Sequence, residues 1–204
     1  MGFKDEILTF EDTKILNEQG AEVMMSWEAP IMEKSAEFIC HNSGDVLEIG
    51  FGMGICADYI QAQGVNSHTI VEIHPEIIEK LKVWANGKSN VTIVEGDWSS
   101  VNGLSTYDGI FIDTYGDENW SSFKDFALAK AKSGAKITYW NNLTDKRNEH
   151  NFDSVSFEDI SVTIQRRQDS MEIPGTRYGT EPFNLFGELT EDDKHIFVWL
   201  NIRD

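Results

Sequence analysis

The sequence predicts an α/β fold: a mostly parallel seven-stranded sheet, helices on both faces, and an antiparallel strand pair at the C-terminal end. Three observations carry this expectation. Between residues 45 and 140, short apolar runs alternate with amphipathic stretches, the pattern of crossover connections over a buried parallel sheet. The first run ends in a glycine cluster, Gly50, Gly52 and Gly54, just ahead of a helical stretch. After about Asn141 the alternation gives way to a region with Pro174, Gly175, Gly179, Pro182 and Gly187 between two strand-like runs, which suits an antiparallel pair.

Taken in order, Asp45 to Ile49 is the first strand of this core. Ile55 to Gln63 follows as a helix, with Ala57, Ile60 and Ala62 inward and Gly64 as its stop. His68 to Glu72 is the second strand. Pro75 then opens a helix whose apolar face is Ile77, Ile78, Leu81 and Trp84; the fixed φ of proline suits a first turn. Val91 to Val94 is the third strand and Gly109 to Ile112 the centre of the fourth. Ser121 to Lys132 is a helix ended by Gly134, and Ala135 to Trp140 the fifth strand. Ile160 to Ile164 and His195 to Ile202 supply the last two. At 204 residues the chain is expected to be one domain. Within it, 1–44 is expected to be a helical segment covering the ligands, 45–140 the binding core, and 141–204 the closing strands and loop.

Seventeen Lys and Arg against 35 Asp and Glu leave a formal charge of -18. Such a surface repels phosphate backbones, and the Arg166-Arg167 pair is followed at once by Gln168 and Asp169. Nucleic acid is therefore excluded as a partner, and a small cationic substrate is favoured; the charge equally serves solubility alone. Cys40 and Cys56 make no disulfide framework, and the five histidines show no metal-ligand spacing, so no metal is expected. The start lacks a basic region followed by an apolar run, and no apolar stretch reaches the ~18 residues that span a bilayer. The expectation is a cytoplasmic protein without membrane contact, monomeric or homodimeric.

Chemistry enters at the glycine turn. A strand that feeds a glycine-rich turn and then a helix places ligand above the carboxyl ends of the strands. The dinucleotide fingerprint needs a third glycine where this chain has Ile55, so a dehydrogenase is disfavoured. Glycines fall instead at Gly50, Gly52 and Gly54 around Phe51, with Glu48 two residues upstream. Glu72, at the end of the second strand, can accept both hydrogens of a ribose diol. After the third strand, Gly96, Asp97 and Trp98 can meet an adenine; Trp98 could equally be core or lid packing.

Further motifs make the resemblance specific. Met24-Met25-Ser26-Trp27-Glu28-Ala29-Pro30, the turn Gly50-Phe51-Gly52-Met53, Asp113-Thr114-Tyr115 followed by Trp120, and Asn142-Leu143-Thr144 occur in an order that resembles the guanidinoacetate and arginine N-methyltransferase family. These are class I, Rossmann-like methyltransferases that use S-adenosyl-L-methionine and release S-adenosyl-L-homocysteine. The resemblance runs over roughly residues 20 to 145. It implies that Glu48 helps hold the methionine amino group and that Met24 and Trp27 border the cofactor. It also implies that Glu28 and Asp113 hold a substrate guanidinium, and that the backbone near Leu143 and Thr144 fixes a substrate carboxylate. Tyr115 and Trp140 fall on the substrate wall. Trp140 and Asn141 stand where the family has a single cysteine, Gly116-Asp117-Glu118 lacks the family's proline, and Ser121-Ser122 replaces a histidine-bearing stretch.

A guanidinium is a planar fork of donors suited to carboxylates. Its pKa lies above about 12, so its nitrogens carry no free lone pair at neutral pH. Methylation needs a carboxylate to take a proton as nitrogen attacks, and Asp113 is the expected base, with Glu28 orienting and neutralising. The expected function is methyl transfer to nitrogen of a small guanidino compound. Another small amine, a protein arginine, and a cofactor-binding protein without catalysis are the alternatives.

Overall fold

Three short strands precede the first long helix: β1 (Leu8–Glu11), β2 (Lys14–Asn17) and β3 (Glu22–Met25). They form an antiparallel meander in the order β1-β2-β3. The computed structural model describes residues 2–140, 156–160 and 195–201. The meander corrects the expected helical cover over 1–44. Ahead of Ala29 the helical turns described are two 3-10 turns, Phe3–Asp5 and Ser26–Glu28. The chain reverses across Asp12 and Thr13 because Glu11 pairs with Lys14. Leu8, Ile15 and Met24, one on each strand, are buried in the core, so strand rather than helical spacing sets the burial. Helix α1 (Ala29–Ile39) then carries Pro30 in its first turn and buries Ile31, Met32, Ala36 and Ile39.

Five parallel strands follow: β4 (Asp45–Ile49), β5 (Ser67–Glu72), β6 (Val91–Glu95), β7 (Tyr107–Ile112) and β8 (Ala131–Tyr139). Their order is β6-β5-β4-β7-β8, with crossovers through α2 (Ile55–Ala62), α3 (Pro75–Ala85) and α4 (Phe123–Lys130). Neighbouring strand residues go to opposite faces. Val46, Ile70 and Phe111 join the cluster containing α1, α2 and α3 residues. Leu47, Val71, Ile110 and Ile112 join Phe123 and Ala127 of α4. Both faces are covered, as a parallel sheet requires. Gly109 lets α1 lie against β7, since a Cβ there would run into the Ile39 carbonyl.

Two boundaries differ from expectation. Trp120–Ser122 is a 3-10 turn, so α4 starts at Phe123. Gly134 does not stop a helix; it lies inside β8 at φ +75. There the register jumps from Tyr107↔Ala131 to Gly109↔Lys136, so β8 carries extra residues across an irregularity. Two later stretches of strand are described, β9 (Ser156–Ile160) and β10 (His195–Asn201). Among the described residues no helix is long and apolar enough to cross a membrane.

The order of strands fixes where a ligand can sit. Chain connections leave β4 toward β5 on one side, while β7 lies on the other. The loops at the carboxyl ends of β4 and β7 therefore diverge and leave a crevice.

Candidate functional site

The crevice is a cavity of about 440 Å³. Its floor is the glycine turn. Gly50 has φ +88, and a Cβ there would overlap the carbonyl oxygen of Asp113. Gly52 has φ +53, and a Cβ there would overlap Sδ of Met24. That sulfur also accepts a hydrogen bond from Met53 N at 3.0 Å. Met24, from the N-terminal meander, is thereby seated on the turn and lines the cavity. Gly50, Phe51 and Gly52 line it as expected. Gly54 stands outside the wall and serves as the N-cap of α2.

Glu72 is held rigidly at the end of β5. One oxygen accepts from Phe51 N at 2.9 Å; the other accepts from Ile73 N and His74 N, both at 2.8 Å. A carboxylate so fixed keeps spare lone pairs for donors arriving from the cavity. Glu48, on β4, is fully buried and also lines the cavity. Oε2 lies 2.8 Å from His68 Nε2, whereas Oε1 is buried with no hydrogen-bond partner. Burial pushes the Glu48 carboxyl up, with His68 opposing.

Asp113 follows β7, its N–H donating to Ile49 O at 2.9 Å. Burial, then the charges of Glu48 and Glu72, push its carboxyl up to about 7. A base with that value is matched to proton transfer near neutral pH. Beyond it, Asp117 gathers three donors: Trp98 Nε1 at 2.7 Å, Thr114 Oγ1 at 2.8 Å and Asn119 N at 2.7 Å. Trp98 is buried edge-on against Phe123 and Phe126 and reaches the cavity wall, so it is core and wall at once. Asp97 accepts from Ser99 and from Asn119 Nδ2 at 2.8 Å. These bonds tie the loop after β6 to the loop after β7.

Tyr115 lines the cavity together with Phe3, and their rings lie 5.4 Å apart. Phe3 also meets His74 at 5.1 Å. Asn17 Nδ2 donates to Glu6 Oε2 at 3.0 Å and to the Tyr115 hydroxyl at 3.3 Å. Phe3, Lys4, Thr114, Asp117 and Glu118 are wall residues that the sequence reading missed. Phe3 and Lys4 gave no periodic signal; Asp117 was visible only as a departure from the family motif. Altogether six carboxylates and one lysine, Lys4, line the cavity, so its field favours a cation.

The five remaining expected residues fall differently. Trp27 and Glu28 are buried but are not part of the wall, and neither is Trp140. Glu28 Oε1 accepts from Met25 N at 2.9 Å, so this carboxylate caps the turn leading into α1. The convergence of Glu28 with Asp113 is thus not seen in the wall, which contains Asp113 alone of the two. Leu143 and Thr144 lie outside the described residues.

Comparison with known proteins matches the family model for guanidinoacetate N-methyltransferase over residues 4–170. Protein arginine N-methyltransferase 2 of Aspergillus oryzae is 38% identical over 132 residues, covering 61% of this chain and 32% of that protein. Its namesake in Saccharomyces cerevisiae is 34% identical over 155 residues, covering 69% and 37%. This chain therefore spans about a third of the length of those relatives. Among solved structures, spermidine synthase from Thermotoga maritima aligns with a TM-score of 0.62 at 12% identity, over 96% of this chain and 72% of that one. Precorrin-6y C5,15-methyltransferase from Geobacter metallireducens aligns with a TM-score of 0.58 at 12% identity, over 89% and 90%. These likenesses establish a Rossmann-like methyltransferase fold.

Proposed function

The chain belongs to the guanidinoacetate N-methyltransferase family, and from that premise we propose that it is an S-adenosylmethionine-dependent N-methyltransferase acting on a guanidino group. The observation that carries this reading is Asp113: a carboxylate poised near 7 beside the glycine turn, in a cavity lined by acids.

The residues present fit the cofactor. Gly50 and Gly52 line the cavity with bare backbone, the place of each missing Cβ being taken by the Asp113 carbonyl and by Met24 Sδ. Glu48 Oε1 is an acceptor lacking a donor, suited to the methionine ammonium. Glu72 is suited to the ribose hydroxyls, and Gly96, Asp97 and Trp98 to the adenine. When bound, the cofactor supplies an electrophilic methyl group on a sulfonium sulfur and leaves as S-adenosylhomocysteine.

The chain's own work is to bind, orient and move one proton. Asp113 accepts a hydrogen bond from the guanidinium, fixes its nitrogen toward the methyl group, and takes the proton as the nitrogen–carbon bond forms. In-line positioning supplies much of the remaining acceleration. Glu28 enters as the second carboxylate for the guanidinium, supported by the Trp-Glu-x-Pro motif and by its bond to Met25 N, next in sequence to the wall residue Met24. Tyr115 borders the acceptor; Trp140, Leu143 and Thr144 are assigned there by motif alone.

A small guanidino compound is the first reading of the acceptor. An arginine side chain of a protein is the second, favoured by the names of the relatives that share 34 to 38% identity. We also read β9 and β10 as completing a seven-stranded sheet, supported by antiparallel backbone pairing of Val198 with Tyr139 and of His195 with Ile160.

Methyl transfer from labelled cofactor to a panel of guanidino acids, free arginine, arginine-bearing peptides and primary amines tests the proposal. Labelling of a guanidino acceptor is expected. Tight cofactor binding with labelling of amines alone, or of nothing, would contradict it.

A further inference from the structure

Behind the cavity lies a polar pair whose second member has no role in the chemistry above. Glu48 on β4 and His68 on β5 lie diagonally across neighbouring strands, and both are 0% exposed. Their contact, His68 Nε2 to Glu48 Oε2, is 2.8 Å. On the far side of the ring, Gln61 Nε2 of α2 lies 3.2 Å from His68 Nδ1. An amide nitrogen can only donate, so Nδ1 is placed as the acceptor and Nε2 as the donor. The Nε2 proton is directed at Glu48 Oε2. The other oxygen, Oε1, is buried, has no hydrogen-bond partner, and belongs to a residue of the cavity wall.

We propose that His68 is a positioning residue for the cofactor: its Nε2–H grips one oxygen of Glu48 and presents the other, ionised, to the ligand's ammonium group. The proposal rests on the methyltransferase reading of the cavity. A buried polar pair of this kind could be mere core filling. The asymmetry between the two oxygens argues otherwise, because a core carboxylate without function would have both satisfied.

The electrostatic setting makes the grip necessary. Glu72, Asp58 and Asp113 all add negative charge around Glu48, and the thiols of Cys56 and Cys40 lie within its field. Burial also favours the protonated acid, and among these groups His68 alone opposes protonation. Without the imidazole donor, Glu48 would take a proton at higher pH and present a neutral acid to the ammonium. Affinity for the ligand would then fall at neutral pH and return as pH rises. The imidazole holds the carboxylate through Oε2 and leaves Oε1 for the ligand.

Calorimetric binding of S-adenosylhomocysteine, measured on the full chain between about pH 6 and pH 9, tests this without recourse to turnover. His68→Leu should weaken binding at pH 7 by at least about tenfold, the scale of a lost hydrogen bond to a charge. The deficit relative to wild type should shrink as pH rises. His68→Gln keeps a donor at the same reach and should bind within about threefold of wild type. In Glu48→Gln, which itself binds weakly, adding His68→Leu should cost nothing further; this neutral double variant also decides the matter if His68→Leu alone fails to fold.

Wild-type affinity in His68→Leu, equal losses in His68→Leu and His68→Gln, or additive losses in the double variant would overturn the proposal. Unchanged binding in Glu48→Gln would overturn it at a different point, by removing Glu48 from the cofactor site. Absence of binding by the wild-type chain would instead overturn the methyltransferase reading.

Discussion

The carbonyl of Asp113 occupies the space that a side chain on Gly50 would need. This single contact joins the turn after β4 to the loop after β7, and so sets the proposed base beside the proposed cofactor cradle. Both the left-handed backbone at Gly50, φ +88, and the missing Cβ are required for it.

Gly50→Ala should therefore strain the turn and push the Asp113 loop away. A loss of at least about 2 kcal/mol in unfolding free energy is expected, together with loss of S-adenosylhomocysteine binding. Urea titration with and without the ligand checks both. A stable variant with intact affinity would show that the two loops can move apart freely.

The raised carboxyl of Asp113 has a thermodynamic sign. Its folded value of about 7 exceeds the ordinary carboxylate value of about 4, so the folded chain binds the extra proton between them. Ionising Asp113 then costs stability that is absent below pH ~4, grows up to pH ~7 and stays constant above. Asp113→Asn should accordingly stabilise the ligand-free chain at pH 8, with the gain vanishing toward pH 4. Thermal unfolding across that range reads this directly.

Asp117 ties the loop after β6 to the loop after β7. Asp117→Ala leaves Trp98 Nε1, Thr114 Oγ1 and Asn119 N without their acceptor, at a cost on the order of 1–3 kcal/mol. Faster hydrogen exchange over 114–119 and a lower kcat are expected. Unaltered exchange would mean the loop is held by other contacts.

Of the two motif carboxylates only Asp113 lines the cavity, which sharpens the test of Glu28. If it meets the guanidinium, Glu28→Gln should raise KM for the acceptor several-fold while cofactor affinity holds. If neither changes, the residue serves only to cap the turn at Met25.

The parallel core was legible because its signals are local. Apolar runs of four to six residues, Pro75 at a helix start and three closely spaced glycines each mark one element by its own chemistry. Glu72 and Asp113 could be placed because the end of a parallel strand always faces the crevice. The meander over residues 8–25 was not legible, since strands of four residues with a two-residue turn leave too short a period to read. His68 and Asp117 escaped for another reason. Each acts through a partner distant in sequence, 20 residues away for Glu48 and 19 for Trp98, and only folding brings such pairs together. Gly134 misled because a positive φ marks a strand irregularity as readily as a helix end.

The proposed mechanism stands on Asp113 taking the proton from a guanidino nitrogen. Single-turnover methyl transfer to a guanidino acceptor, followed against pH in wild type and Asp113→Asn, tests it most directly. The wild-type rate should fall tenfold per pH unit below an inflection between about 5 and 7, since the bound cations draw the base down from its ligand-free value. A loss of at least about 100-fold is expected in Asp113→Asn, with S-adenosylhomocysteine affinity nearly unchanged. A wild-type rate and pH profile in Asp113→Asn would contradict the mechanism.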